Sequence, residues 1–214
     1  AIDKDNPAVM REFLRRAGSE AAQIVILPQA SALADTGQVY VNEFKEIGAG
    51  QVAALEFRQR SEAGTPEQID LLRSATGIFI AGGTQMRLSV LLGGTPLEAE
   101  LLAAYRRGCL VGGTSAGAAI LSKTMIAYGR GGPTPREGLA QFSPGLGFTD
   151  KFLFDQHFRQ RDRLGRLIYA VAAYPGALGV GIDENTAVIV EDDVNLTVCG
   201  AGGVTLVDGS QIGY

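Results

Sequence analysis

Gly112-Gly113-Thr114-Ser115-Ala116-Gly117-Ala118-Ala119 follows the apolar run Cys109-Leu110-Val111 and leads into small residues that favour helix. The pattern predicts a strand, a tight turn and a helix. In such a turn glycines at 113 and 117 relieve crowding around Ser115, so its hydroxyl stands exposed at the helix N-terminus, as in a nucleophile elbow. The N–H of Ala116 then faces any oxyanion formed there, and the helix dipole favours the charge. Glycine-rich turns of this kind also cradle phosphates. Against that reading, the sequence has no Gly-Lys-Ser/Thr ending of a Walker loop and no Gly-x-Gly-x-x-Gly at its first strand-to-helix turn.

Working outward, apolar runs and helical periodicities alternate on both sides of this turn. Asn6-Pro7 is a cap and first-turn pair, and Val9, Phe13 and Leu14 follow at helical spacing, which predicts a helix over 7–17 ended by Gly18. Strands are predicted at 23–28, 52–57 and 77–83, and helices at 39–47, at 66–74 begun by Thr65, from about 84, and from Pro96 to Arg107. Beyond the Ser115 helix, a Gly/Pro-rich stretch over 129–147 reads as loop, 152–154 as a short strand and 159–173 as a helix. From Gly179 the texture changes to Val/Ile/Thr-rich runs at 186–190, 196–199 and 204–207, with turns at Asp192-Asp193 and Gly202-Gly203. Strands alternating with helices, then hairpins, describe an α/β fold: a doubly wound, mostly parallel sheet with C-terminal antiparallel strands. No repeat and no long linker divides the chain, so residues 1–214 are expected to form one domain. In such sheets the site lies beyond the carboxyl ends of the strands. The turns at 82–83, 113–115 and 155–157 are expected to open there.

Bulk properties narrow the function. The 214 residues are 46% hydrophobic and 20% charged, enough for a sizeable core. A formal charge of -4 argues against nucleic acid or an anionic membrane as the main partner. There is no run of apolar residues long enough for a membrane span and no signal-peptide pattern at the start, so a cytoplasmic protein is expected. Cys109 and Cys199 sit in apolar runs and read as packing residues, and a single histidine makes a His-based metal site improbable; no cofactor is expected.

A serine nucleophile needs a base within hydrogen-bond reach. His157, the sole histidine, lies just past a strand end beside Asp155 and Gln156. After it, Arg159-Gln160-Arg161-Asp162-Arg163-Leu164-Gly165-Arg166 sets four arginines in eight residues of an acidic chain. They suit either a solvated helix face or a clamp for carboxylates, which guanidinium groups bind bidentately.

The segments at 112–119 and Phe-Asp-Gln-His-Phe-Arg-Gln-Arg-Asp-Arg-Leu-Gly-Arg-Leu at 154–167 resemble the two signature segments of cyanophycinases, serine peptidases grouped with aspartyl dipeptidases. Asp3-Lys4-Asp5-Asn6-Pro7, Gly82-Gly83-Thr84-Gln85-Met86-Arg87-Leu88 and Gly181-Ile182-Asp183-Glu184-Asn185-Thr186-Ala187 fit as well, so the likeness covers nearly the whole chain. The resemblance implies a flavodoxin-like fold, close to that of class I glutamine amidotransferases. It also implies exopeptidase cleavage of cyanophycin, a polyaspartate backbone bearing arginine on each side-chain carboxyl, to β-Asp-Arg dipeptides. Carried over by motif position, Ser115 is the nucleophile and His157 the base, the N–H groups of Gly83 and Ala116 hold the oxyanion, and Gln85, Asp155, Gln156, Arg161, Arg163 and Arg166 line the substrate pocket. A homodimer is implied, and secreted relatives exist beside intracellular ones. The sequence departs from the family pattern where an acid after the Ser helix should orient the histidine. The matching stretch is Arg130-Gly131-Gly132-Pro133-Thr134, which leaves Glu137 as the nearest acid, with Gln141 or a backbone carbonyl as other partners for Nδ1. Position 84 is Thr where Asp or Asn is common, and the likeness starts at Asp3 without the first strand that relatives carry. The rival readings are an aspartyl or isoaspartyl dipeptidase for short peptides, and an inactive relative that only binds the polymer.

Overall fold

The computed structural model describes residues 7–213, so the Asn6 cap and the Asp3-Lys4-Asp5-Asn6 match lie outside it. Backbone contacts divide the described residues into two compact units, one of residues 10–117 and one of residues 118–213 with 7–9.

The first unit interleaves helices with strands: α1 (Ala8–Ala17), β1 (Gln23–Leu27), α2 (Thr36–Glu46), β2 (Gln51–Ala54), α3 (Pro66–Ser74), β3 (Gly77–Ile80), α4 (Gln85–Leu92), α5 (Pro96–Arg106) and β4 (Leu110–Gly113). The strands form one parallel sheet in the order β2-β1-β3-β4. Ile24, Val25, Ile26 and Leu27 of β1 are all buried, which is why this strand reads as a continuous apolar run without alternation. Phe13 of α1, Phe44 of α2 and Phe79 of β3 close a ring cluster with centroids 5.3 to 5.7 Å apart. Local chemistry fixes the helix starts. Thr65 caps α3 through a capping box with Gln68, Thr95 caps α5 by accepting from the N–H of Glu98, and each is followed by proline at the first helical position.

The second unit begins in the one-turn helix α6 (Ala116–Ala119), which straddles the division. It continues with β5 (Thr124–Gly129), β6 (Ala140–Pro144), β7 (Phe152–Gln156), α7 (Leu164–Ala173), β8 (Leu178–Ile182), β9 (Thr186–Glu191), β10 (Asn195–Gly200) and β11 (Val204–Val207). β7 and β8 are parallel with α7 between them in sequence, β11 runs antiparallel on β8, and β5-β6 and β9-β10 are hairpins. Leu167 and Ala170 of α7 pack with Ile126, Leu153 and Phe158. Val188, Val190 and Leu196 of the β9-β10 hairpin lie on Phe152, Phe154 and Val180.

The α/β class, the parallel sheet and the closing antiparallel strands are as expected from the sequence. Three details differ. Residues 140–144, expected to be loop, pair with residues 124–129 in a bulged hairpin. β8 was hidden by its glycines: Gly179 and Gly181 have no side chain because a Cβ would sit 2.6 Å from Val171 and 2.5 Å from Phe158. The helix expected over 159–173 starts only at Leu164, because Asp162 takes a left-handed φ of 49° that separates it from the 3-10 turn of Arg159–Arg161.

Candidate active site

In the first unit the turn after β4 has the sharp geometry of an elbow. Ser115 has a φ of 54°, a left-handed conformation that costs a non-glycine residue about 1 kcal/mol or more and so requires support from its surroundings. The support is close packing. A Cβ on Gly117 would lie 2.1 Å from the carbonyl oxygen of Ile80, and one on Gly113 would lie 2.5 Å from Gly117, so both flanking positions admit only glycine. The Thr114 N–H donates to Ile80 O at 3.0 Å and ties the turn to β3.

The loop after β3 lies against the same turn, since a Cβ on Gly82 would come within 3.3 Å of the Ser115 Cβ. Gly83 has a φ of 144° and presses on the carbonyl of Ala30, to which the Thr84 N–H also donates at 2.9 Å. The N–H groups of Gly83 and Ala116, expected to hold an oxyanion, have no hydrogen-bond acceptor among the described residues. Because α6 is a single turn, it adds little dipole beyond those N–H groups. Gln85, the first residue of α4, is half-buried and takes part in interactions of its own.

In the second unit the histidine expected to act as base stands at the end of β7. His157 is buried and has a φ of 50°, held by bonds from Phe158 N–H to Ile182 O and from Arg161 N–H to His157 O, each 3.1 Å. Its Nδ1 lies 2.6 Å from Oε1 of Glu184. Glu184 is held below the usual carboxylate range chiefly by this bond, so the carboxylate accepts and Nδ1 carries the proton. The lone pair is then on Nε2, the state a general base requires. Burial lowers the His157 pKa and the Glu184 bond partly offsets that, which keeps the ring neutral near pH 7.

Glu184, not Glu137, is therefore the acid on the histidine. Glu137 is exposed in the β5-β6 connection and its side chain makes no hydrogen bond among the described residues. Sequence reasoning overlooked Glu184 because β8 was not read as a strand. The pairing Gln156↔Ile182 carries both chains past the sheet together, so the residues that follow β7 and β8 become neighbours. An acid two residues beyond a parallel neighbour of the histidine's strand was the available signal.

The arginines are mostly committed within the chain. Asp155, 1% exposed, takes a bidentate contact from Arg166, with Nε to Oδ2 at 2.6 Å and Nη2 to Oδ1 shorter still, and Nη1 of Arg163 at 3.3 Å. Arg163 also donates to Oε1 of Gln156 at 2.7 Å and to the Gln156 carbonyl. Burial brings the Arg163 pKa down to about 10, still charged at neutral pH. Arg159 turns away to Asp183, whose carboxylate also accepts the N–H groups of Arg159 and Gly203 and so fastens the β8-β9 turn beside Glu184. Arg161 alone of the four is exposed with a guanidinium that makes no hydrogen bond or ion pair among the described residues.

Residues 2–198 match the model of peptidase family S51. The cyanophycinase of Trichormus variabilis is 42% identical over 206 residues, 95% of this chain and 69% of that protein. The cyanophycinase of Synechococcus elongatus is 43% identical over 208 residues, 96% of this chain and 65% of that protein, so the chain spans about two thirds of the length of these relatives. Among solved structures, a peptidase from an acI-B1 Actinobacterium superposes with a TM-score of 0.74 at 21% identity, over 98% of this chain and 89% of that one, which is a likeness of fold.

Proposed function

The chain belongs to peptidase family S51, and from that premise we propose that it is a serine exopeptidase that hydrolyses cyanophycin to β-Asp-Arg dipeptides through an acyl-enzyme on Ser115. The relatives named cyanophycinase supply the substrate class. The observation that carries the reading is the His157-Glu184 pair, a neutral imidazole with its proton held on Nδ1 by a carboxylate. The same pair supports a catalyst over a binding-only relative, the reading that a missing acid would favour.

In the proposed reaction Ser115 Oγ adds to the backbone carbonyl carbon as His157 Nε2 takes its proton. Glu184 stabilises the imidazolium that forms, and the N–H groups of Gly83 and Ala116 receive the negative charge on the carbonyl oxygen. The imidazolium then protonates the leaving amine and the C–N bond breaks. Water, deprotonated by His157, cleaves the resulting ester and regenerates Ser115.

Gln85, Asp155, Gln156, Arg161, Arg163 and Arg166 are proposed to form the pocket for the β-Asp-Arg unit. The hydrogen bonds divide the roles. Asp155, Arg166 and Arg163 hold one another and present Gln156, whereas Arg161 is the guanidinium left for a substrate carboxylate. The test is product analysis after incubation with insoluble cyanophycin, with Ser115→Ala as control. Release of β-Asp-Arg by the wild type alone supports the proposal. Cleavage of short Asp-containing peptides but not of polymer would turn the reading to a dipeptidase.

A further inference from the structure

Beside the Ser115 turn, in the same unit, lies a cavity of about 340 Å³ at the carboxyl ends of β1 and β2. Its size is that of a small-ligand site. Glu56 and Phe57, just past β2 at the edge of the sheet, form part of its wall, and Gln29, Ser31, Arg58, Glu62 and Arg87 add to the polar lining.

Gln29 marks this cavity as more than a surface depression. The side chain is 3% exposed, and its Nε2 donates to Leu55 O at 2.6 Å. Only the amide nitrogen can donate to a carbonyl, so the orientation of the amide is fixed and Oε1 points the other way. That buried oxygen has no hydrogen-bond partner among the described residues, although a buried acceptor is normally satisfied. It calls for a ligand that brings an N–H donor. Two carboxylates share the lining. That of Glu62 is held in place by the N–H groups of Arg58 and Gln59, at 2.8 and 3.1 Å. Opposite in charge, the exposed guanidinium of Arg87 makes no hydrogen bond or ion pair among the described residues.

We propose that this cavity is a subsite for an arginine arm of the polymer several units away from the bond being cleaved. The arm's guanidinium donates to Gln29 Oε1 and the glutamates, and its free carboxylate meets Arg87. The inference rests on the cyanophycin reading above, whose repeating unit carries this pair of charges. The fold supplies the connection. Gly83 rests on Ala30 and Ser31, and Ser31 lines the cavity, so the candidate oxyanion loop borders it. β1 lies two strands from β4, or about 10 Å at the usual strand spacing. An extended backbone covers that distance in about three residues. A substrate of four units reaches the subsite from the Ser115 turn with backbone to spare, whereas one of two units reaches it only with its arginine arm, about 10 Å long, fully extended.

The experiment compares kcat/KM for synthetic two-unit and four-unit β-Asp-Arg oligomers in wild type, Arg87→Ala and Gln29→Met. Wild type should favour the longer oligomer, and each variant should lower that ratio by about tenfold, the weight of one charge-assisted hydrogen bond. Arg87 is exposed, so its variant reports even where Gln29→Met fails to fold. A wild type indifferent to length, or variants that keep the ratio, would overturn the subsite. The same ratio of dissociation constants is measured on Ser115→Ala protein with and without Arg87→Ala. If wild type cleaves neither oligomer, the peptidase reading falls, while the binding ratio still decides the subsite.

Discussion

Replacing Glu184 by glutamine should reduce kcat without loosening the fold. The Nδ1 and Oε1 atoms are 2.6 Å apart, which sets the centres of imidazolium and carboxylate about 4 Å apart. At the effective dielectric of a protein site such a pair interacts by about 4 kcal/mol. The Glu184 side chain is 38% exposed, so solvent trims this to about 2 to 3 kcal/mol, or roughly 10²-fold in rate. A glutamine amide can also donate to Nδ1 and so hold the ring proton on Nε2, the wrong nitrogen, which extends the loss toward about 10⁴-fold. The pH profile gives a second readout. Burial already places the His157 pKa below its usual 6.5 and the Glu184 bond raises it. Loss of that bond moves it lower still, so the acid limb of kcat/KM in Glu184→Gln should shift to lower pH. Steady-state hydrolysis of a β-Asp-Arg oligomer across pH, with a thermal melt of each protein, measures both effects. Wild-type kcat in Glu184→Gln, or an equal loss in Glu137→Gln, would refute the assignment.

Asp155→Ala leaves the buried Arg166 guanidinium without its counter-charge, so the protein should lose about 3 to 5 kcal/mol of stability, read as a drop in Tm of about 6 to 20 °C. Arg161→Ala removes an exposed side chain that makes no hydrogen bond or ion pair among the described residues; KM for the oligomer should rise about tenfold or more at unchanged Tm. Gly117→Ala drives a methyl group into the Ile80 carbonyl and displaces the Ser115 turn, so kcat should fall by roughly 10²-fold, checked by labelling of Ser115 with a serine-directed phosphonate. His157 has a folded pKa below its unfolded value, so it contributes stability above the unfolded pKa that is lost as pH falls through the folded one. Wild type should therefore lose more Tm on acidification below about pH 6.5 than His157→Gln does.

The sequence by itself determined what is local. The elbow at Ser115 was legible because its glycine pattern lies within five residues, although the contact that excludes a side chain at 117 comes from Ile80 of β3. The α/β class was legible because a parallel strand buried on both faces, such as β1, must be a continuous apolar run. Thr65-Pro66 and Thr95-Pro96 announced their helices through capping chemistry held within one turn. The place of the sole histidine past a strand end and the clustering of four arginines drew attention to His157 and its neighbours, but neither signal could say which partner each would choose. Asp155, Arg163 and Arg166 are separated by up to 11 positions and meet only because α7 packs back on β7. Glu184 is 27 positions from His157 and reaches it only because β7 and β8 run parallel in register. Pairing across a sheet leaves no periodicity in the intervening chain, and in β8 the glycines that admit Phe158 and Val171 also erase the apolar signal of the strand. Tertiary packing alone decided which acid faces the histidine and which guanidinium makes no hydrogen bond or ion pair among the described residues.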